Sequence, residues 1–155
     1  LFIAAAREFA AATGQRTVVL TGRKSVAPSG DPNLVLLPRI EPDQVQYLLA
    51  EALLVVSNGG STMIHVLAHR RPLVAIPLAG DQDRRIRRAV RLQIAEAAER
   101  TPQAIAQAAA RLLREPERRA AMSRHTAELG IDNGVAEAVA ALLALARQRR
   151  KQEEG

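Results

Sequence analysis

The chain opens on an apolar-rich stretch, residues 1–13 (LFIAAAREFAAAT), that predicts a helix stopped by Gly14. A continuous apolar run at 17–21 (TVVLT) then predicts a buried strand. Gly22, Pro28, Gly30 and Pro32 make 22–33 a loop, and LVLL at 34–37 is a second strand. Pro42 opens a helix to Ala52, with Glu41 and Asp43 suited to its positive end. LLVVS at 53–57 reads as a third strand, running into Asn58-Gly59-Gly60-Ser61-Thr62 and a helix to His69. LVAIP at 73–77 is a fourth, followed by a loop over 78–83 and a helix to Leu92. Beyond that the pattern is helical. Thr101 caps a helix with Pro102 in its first turn, running to Leu113, and two more span 116–129 and 135–149. Residues 150–155 read as a frayed tail.

Strands that are continuous apolar runs, alternating with helices, predict an α/β fold: a Rossmann-like parallel sheet with helices on both faces and a helical C-terminal segment. In such sheets ligands bind at the carboxyl ends of the strands. The loops at 22–33, 57–62 and 78–83 are therefore the candidate site. No internal repeat or linker divides the chain, so 1–149 is read as one domain.

Composition narrows the function classes. Apolar residues make up 48% of the 155, enough for one core. Phe2, Phe9 and Tyr47 are the only aromatics, too few for a base-stacking platform, and no nucleic-acid partner is expected. The absence of cysteine excludes disulfides, thiolate metal sites and a cysteine nucleophile. Three scattered histidines (His65, His69, His125) do not suggest a metal centre, and the two on helix ends, His69 and His125, read as surface residues. The net charge is +6, and Lys24 and Lys151 are the only lysines among 22 cations. That arginine bias fits either a GC-rich coding sequence or an anionic partner. No signal peptide or membrane-spanning helix is visible, so a soluble cytoplasmic protein is expected. A chain that starts on Leu1 rather than Met is expected to be a fragment.

Two segments carry chemistry. In Asn58-Gly59-Gly60-Ser61-Thr62, the glycines allow a tight turn and close backbone approach. Ser61 and Thr62 bring hydroxyls and free amide N–H groups to a helix start, where the dipole favours an anion. A diphosphate fits those donors, although a plain Ser or Thr cap after a glycine turn would use the same residues. The segment is neither a P-loop nor a GxGxxG fingerprint. In Pro77-Leu78-Ala79-Gly80-Asp81-Gln82, Asp81 and Gln82 offer acceptors and donors for vicinal hydroxyls, as sugars present; a turn with an Asp cap is the plainer alternative.

The run VVSNGGSTMIHVLAHRRPLVAIPLAGDQ, residues 55–82, resembles the donor-binding core of GT-B glycosyltransferases. The nearest likeness is to the C-terminal domain of the peptidoglycan N-acetylglucosaminyltransferases that form lipid II and of related nucleotide-sugar transferases. LVLLPRIEPDQVQYLLAEALLVVSNGGST and TPQAIAQAAARLLREPERRAAMS extend it more loosely. The resemblance implies the C-terminal half of a GT-B fold, lacking its first strand and its acceptor domain. It places Gly59, Gly60, Ser61 and Thr62 on the donor diphosphate. It places the backbone around Arg39 and Ile40 at the nucleobase, His65 at the ribose, and Asp81 and Gln82 on the transferred sugar. Gly22 and Asn58 would border the cleft. The implied substrate is a nucleotide diphosphate sugar, a UDP-sugar for preference, with no cofactor and no metal bound by this domain. The acceptor would be held in cis or by a partner subunit, and no general base falls within the chain.

Three departures stand out. His65 replaces a ribose-binding glutamate, Arg70 replaces a helix-ending glycine, and Arg85 stands where the family often has asparagine. A neutral imidazole cannot match a carboxylate's double acceptance. Arg84, Arg87, Arg88 and Arg91 are spaced to share one helix face, either a solvated face or a contact for an anionic membrane surface or a missing domain. Two other readings compete with transfer: a nucleotide-sugar 2-epimerase or hydrolase of the same architecture, and a non-catalytic nucleotide-binding subunit.

Overall fold

A computed structural model describes residues 1–131 and 135–153. Helix α1 (Phe2–Thr13) leads to strands β1 (Thr17–Leu20) and β2 (Leu34–Leu37), then α2 (Pro42–Glu51), β3 (Val55–Asn58), α3 (Ser61–Ala68), β4 (Leu73–Ile76), α4 (Gly80–Arg91), β5 (Glu96–Ala97), α5 (Pro102–Arg114), α6 (Pro116–Glu128) and α7 (Val135–Glu153). Gly14 stops α1 in the left-handed conformation (φ 66°) and its N–H donates to the Ala10 carbonyl. Thr101 caps α5, its hydroxyl accepting from the Ala104 N–H at 3.1 Å. Helix α7 runs to Glu153, past the end at 149 read from the sequence and through most of the segment expected to fray.

All strand pairing is parallel, in two hydrogen-bonded sheets rather than the single one expected: β1–β2, and β3–β4–β5. Strand β5 escaped the sequence reading because it is two residues long and begins with a glutamate. Glu96 is nonetheless buried, paired with Arg111 at 2.6 Å and Arg118 at 3.2 Å. Two guanidiniums compensate that carboxylate, which alone would be costly to bury.

The core lies on both faces of β4. Leu73 and Ala75 pack on one side with Leu49, Met63, Val66, Leu67, Ile86 and Ala89 from α2, α3 and α4. Val74 and Ile76 pack on the other with Ala5, Ile105, Ala108, Leu112 and Met122 from α1, α5 and α6. Phe9 of α1 meets Ala106, Ala109 and Ala110 of α5, with Leu54 and Val56 of the third-strand segment against them. Strand β1 differs. Val18 and Leu20 are each 41% exposed, so the expected cover on both faces fails there. The connection from β1 to β2 is a loop without a helix, and a crossover with no helix leaves its side of the sheet bare.

Two Schellman-type helix ends, after α3 and α4, use residues other than glycine. After α3, the Arg70 N–H donates to the Leu67 carbonyl and the Arg71 N–H to that of Val66, with Arg70 at φ 55°. After α4, Gln93 (φ 57°) and Ile94 repeat the pattern onto Val90 and Ala89. The left-handed backbone costs a residue with a Cβ roughly 1 kcal/mol, so Arg70 sits in the strained conformation its replacement of glycine suggests.

Candidate functional site

The glycine loop is built around the end of β3. The side-chain oxygen of Asn58 accepts from the Gly60 N–H at 3.2 Å, folding the chain back on itself. Gly59 is buried against α4, and a Cβ there would meet Gln82 Cβ and Ile86 Cγ1 at 2.9 Å. No other residue fits without moving α4. Gly60 is the residue before α3 and adopts an extended conformation (φ −85°, ψ −157°).

This geometry bears on the plainer reading of Ser61 and Thr62, a helix cap. Neither caps the helix: α3 starts on Ser61, and Gly60 before it has no side chain to offer. Both hydroxyls are exposed and hold no hydrogen bond within the described residues. Helix α3 therefore presents its first N–H groups uncapped, with two free hydroxyls beside them. Such an end attracts negative charge through its dipole and its orphan donors.

Asp81 and Gln82 stand in the first turn of α4, not in the loop expected over 78–83. The helix starts early because Gln82 Oε1 accepts from the Leu78 N–H at 2.9 Å, satisfying a donor just ahead of the helix. That leaves the Gln82 amide NH2 as a donor. Asp81 is exposed and lies 3.5 Å from Arg85, four residues on. Arg85 also donates to the Gly59 carbonyl. The structure thus brings the glycine loop and the Asp81–Gln82 turn together, through Gly59, Gln82 and Arg85. Arg85 is the link that sequence reasoning passed over as a departure.

His65 lies one turn into α3, exposed, and meets Gln46 of α2 at 3.3 Å through Nδ1. The other end of the same amide meets His69 Nε2 at 2.6 Å. Gln46 therefore bridges the two imidazoles with the two ends of its amide. Gln46 carried no sequence signal; it becomes visible only when α2 packs on α3. His69 is half-buried rather than a surface residue, and so is His125.

The remaining predicted residues gather at the ends of β1 and β2. Thr21 donates its N–H and its hydroxyl to the Leu37 carbonyl, both at 3.0 Å, and Gly22 follows at φ 68°. The Arg39 N–H donates to the Arg23 carbonyl at 2.7 Å. Gly22, Arg39 and Ile40 are therefore neighbours at one strand-end corner. Their tie to the glycine loop runs through α2, which begins just after Ile40 and holds His65 through Gln46.

Of the arginines on α4, Arg87 leaves the face assigned to it and pairs with Asp83. Arg85 takes its place beside Arg84, Arg88 and Arg91 in an open trough bounded by Asp81. Among the described residues, no group of three or more His, Asp or Glu is arranged to hold a metal ion, and no helix is long and apolar enough to cross a membrane.

No family model matches the chain. No curated protein matches its sequence. Solved structures do. The chain is similar to the crystal structure of the glycosyltransferase of kitacinnamycin, at 25% identity and a TM-score of 0.62 over 81% of this chain. It is also similar to the glycosyltransferase SnogD from Streptomyces nogalater, at 23% identity and a TM-score of 0.63 over 92% of this chain. It spans only 34% and 39% of those two proteins. By fold, the chain matches part of each of these two glycosyltransferases.

Proposed function

We propose that this chain is the donor-binding half of a glycosyltransferase, which moves a sugar from a nucleotide diphosphate sugar to an acceptor held by polypeptide outside these 155 residues. The observation that carries the reading is the uncapped start of α3 behind Gly59 and Gly60, with Gln82 and Asp81 packed beside it. In this reading the diphosphate rests on the Ser61 and Thr62 hydroxyls and on the N–H groups of the first turn. As the sugar bond breaks, charge grows on the leaving diphosphate, and these fixed dipoles stabilise it with no metal from this domain. Asp81 and the Gln82 amide address the sugar hydroxyls. The backbone by Arg39 and Ile40, with Gly22, flanks the base, and His65 addresses a ribose hydroxyl.

Two open strand edges support a missing piece. Strand β1 pairs only with β2 and β3 only with β4, while α1 packs against β1 and against α5 across the β3 side. A further parallel strand leading into α1 would fit between β1 and β3, as a right-handed crossover requires. The finer parts of the reading rest on the motif resemblance: a UDP donor, and a cell-envelope role at the cytoplasmic face of the membrane.

Calorimetric titration with UDP, GDP, TDP and CDP tests the proposal, with Ser61→Ala as the comparison. The Ser61 hydroxyl is exposed and unbonded, so the substitution leaves the fold intact. Saturable binding of one nucleotide, weakened about tenfold by the loss of one hydrogen bond to a charged group, is expected. A folded chain that binds none of the four overturns it.

A further inference from the structure

Helix α4 carries more positive charge than its own acids can answer. Its two aspartates each pair with the arginine four residues on, Asp81 with Arg85 and Asp83 with Arg87. Arg84, Arg88 and Arg91 have no acidic partner among the described residues. Spaced i, i+4 and i+7, these three guanidiniums form one stripe, where like charges repel. The helix C-terminus favours Arg88 and Arg91, but its field fades within a turn and leaves Arg84 unexplained. The stripe also lines an open surface depression of about 480 Å³ with Arg85 and Asp81, all of them residues of α4. Guanidinium forks are suited to phosphate oxygens, which they bind in pairs of parallel hydrogen bonds.

We propose that this trough is a second anion site, distinct from the glycine loop, that takes a phosphate-bearing ligand of at least two negative charges. Arg85 donates to the Gly59 carbonyl, so the trough begins where the loop ends. A ligand there lies against the outer side of the same helix whose first turn carries Asp81 and Gln82. The assignment stands on the charge and shape of α4 alone and does not depend on the donor reading. A free phosphorylated ligand and a lipid phosphate headgroup share the required chemistry.

The test is calorimetric titration of the 155-residue chain with inorganic pyrophosphate. A parallel arm measures sedimentation with phosphatidylcholine vesicles, with and without phosphatidylglycerol. The variant is Arg88→Gln/Arg91→Gln. Arg7→Gln/Arg16→Gln is its charge-matched control, and all four positions are exposed. Pyrophosphate binding that falls about tenfold or more in the trough variant, and little in the control, supports a free phosphorylated ligand. Loss confined to the phosphatidylglycerol vesicles supports a headgroup as the source. Equal binding by the trough variant and the control in both arms overturns the site. So does pyrophosphate binding that Ser61→Ala abolishes altogether, which would assign the anion to the loop. Titration of UDP into Arg88→Gln/Arg91→Gln, scored separately, reports on the donor reading.

Discussion

Strands β1 and β4 are both four-residue runs rich in aliphatic side chains, TVVL and LVAI, yet they live in different surroundings. Every residue of β4 is fully buried, with α2, α3 and α4 on one face and α1, α5 and α6 on the other. Strand β1 alternates between half-buried and exposed, and only β2 pairs with it. The difference lies in the connections. Helical crossovers lead from β3 to β4 and from β4 to β5, while β1 passes to β2 through a loop. An apolar run states that a strand is favoured; its neighbours decide how much water it loses. The site follows the same division, since the glycine loop hangs on β3, beside the best-buried strand, and the Gly22 corner hangs on the half-covered pair.

The contrast can be broken most strongly in the core. Leu73→Ala removes a fully buried side chain and should cost about 3 kcal/mol in denaturant unfolding, whereas Leu20→Ala, on the exposed face of β1, should cost under about 1 kcal/mol. Equal losses would mean that β1 is covered in solution. A smaller effect is expected where the loop meets the core. Gly59→Ala drives a methyl into Gln82 and Ile86 and should cost about 2 kcal/mol. It should also weaken nucleotide binding more than Ser61→Ala does, because α4 must shift. The smallest effect has the opposite sign. Arg70→Gly relieves a left-handed backbone and should raise stability by about 1 kcal/mol with nucleotide affinity unchanged.

The candidate segments are legible in the sequence where the signal is local. Glycine pairs and strand-to-helix junctions announce themselves, and the loop at 58–62 and the turn at 81–82 do come together through Gly59 and Gln82. Legibility ends wherever a residue acts on a distant element. Gln46 reaches His65 from another helix, 19 positions away. Arg85 reaches the Gly59 carbonyl 26 positions back. Glu96 looks like a surface residue until Arg111 and Arg118 close over it. Spacing alone also does not tell which arginine an aspartate one turn earlier will hold, and Asp83 holds Arg87.

The sequence by itself determined seven helices and the first four strands of the described residues, the glycine stop of α1, the threonine cap of α5 and the place of the glycine loop. Those depend on backbone sterics, side-chain period and hydrogen bonds within a few residues. Tertiary structure alone decided that the helix before β1 leans on α5, that the strands form two sheets with open edges, and that β1 keeps one face in water. It also joined His65 to Gln46 and gathered four arginines of α4 into one trough. Burial, edge pairing and the sharing of charge are properties of pairs of elements, and a pattern read along one chain holds only one member of each pair.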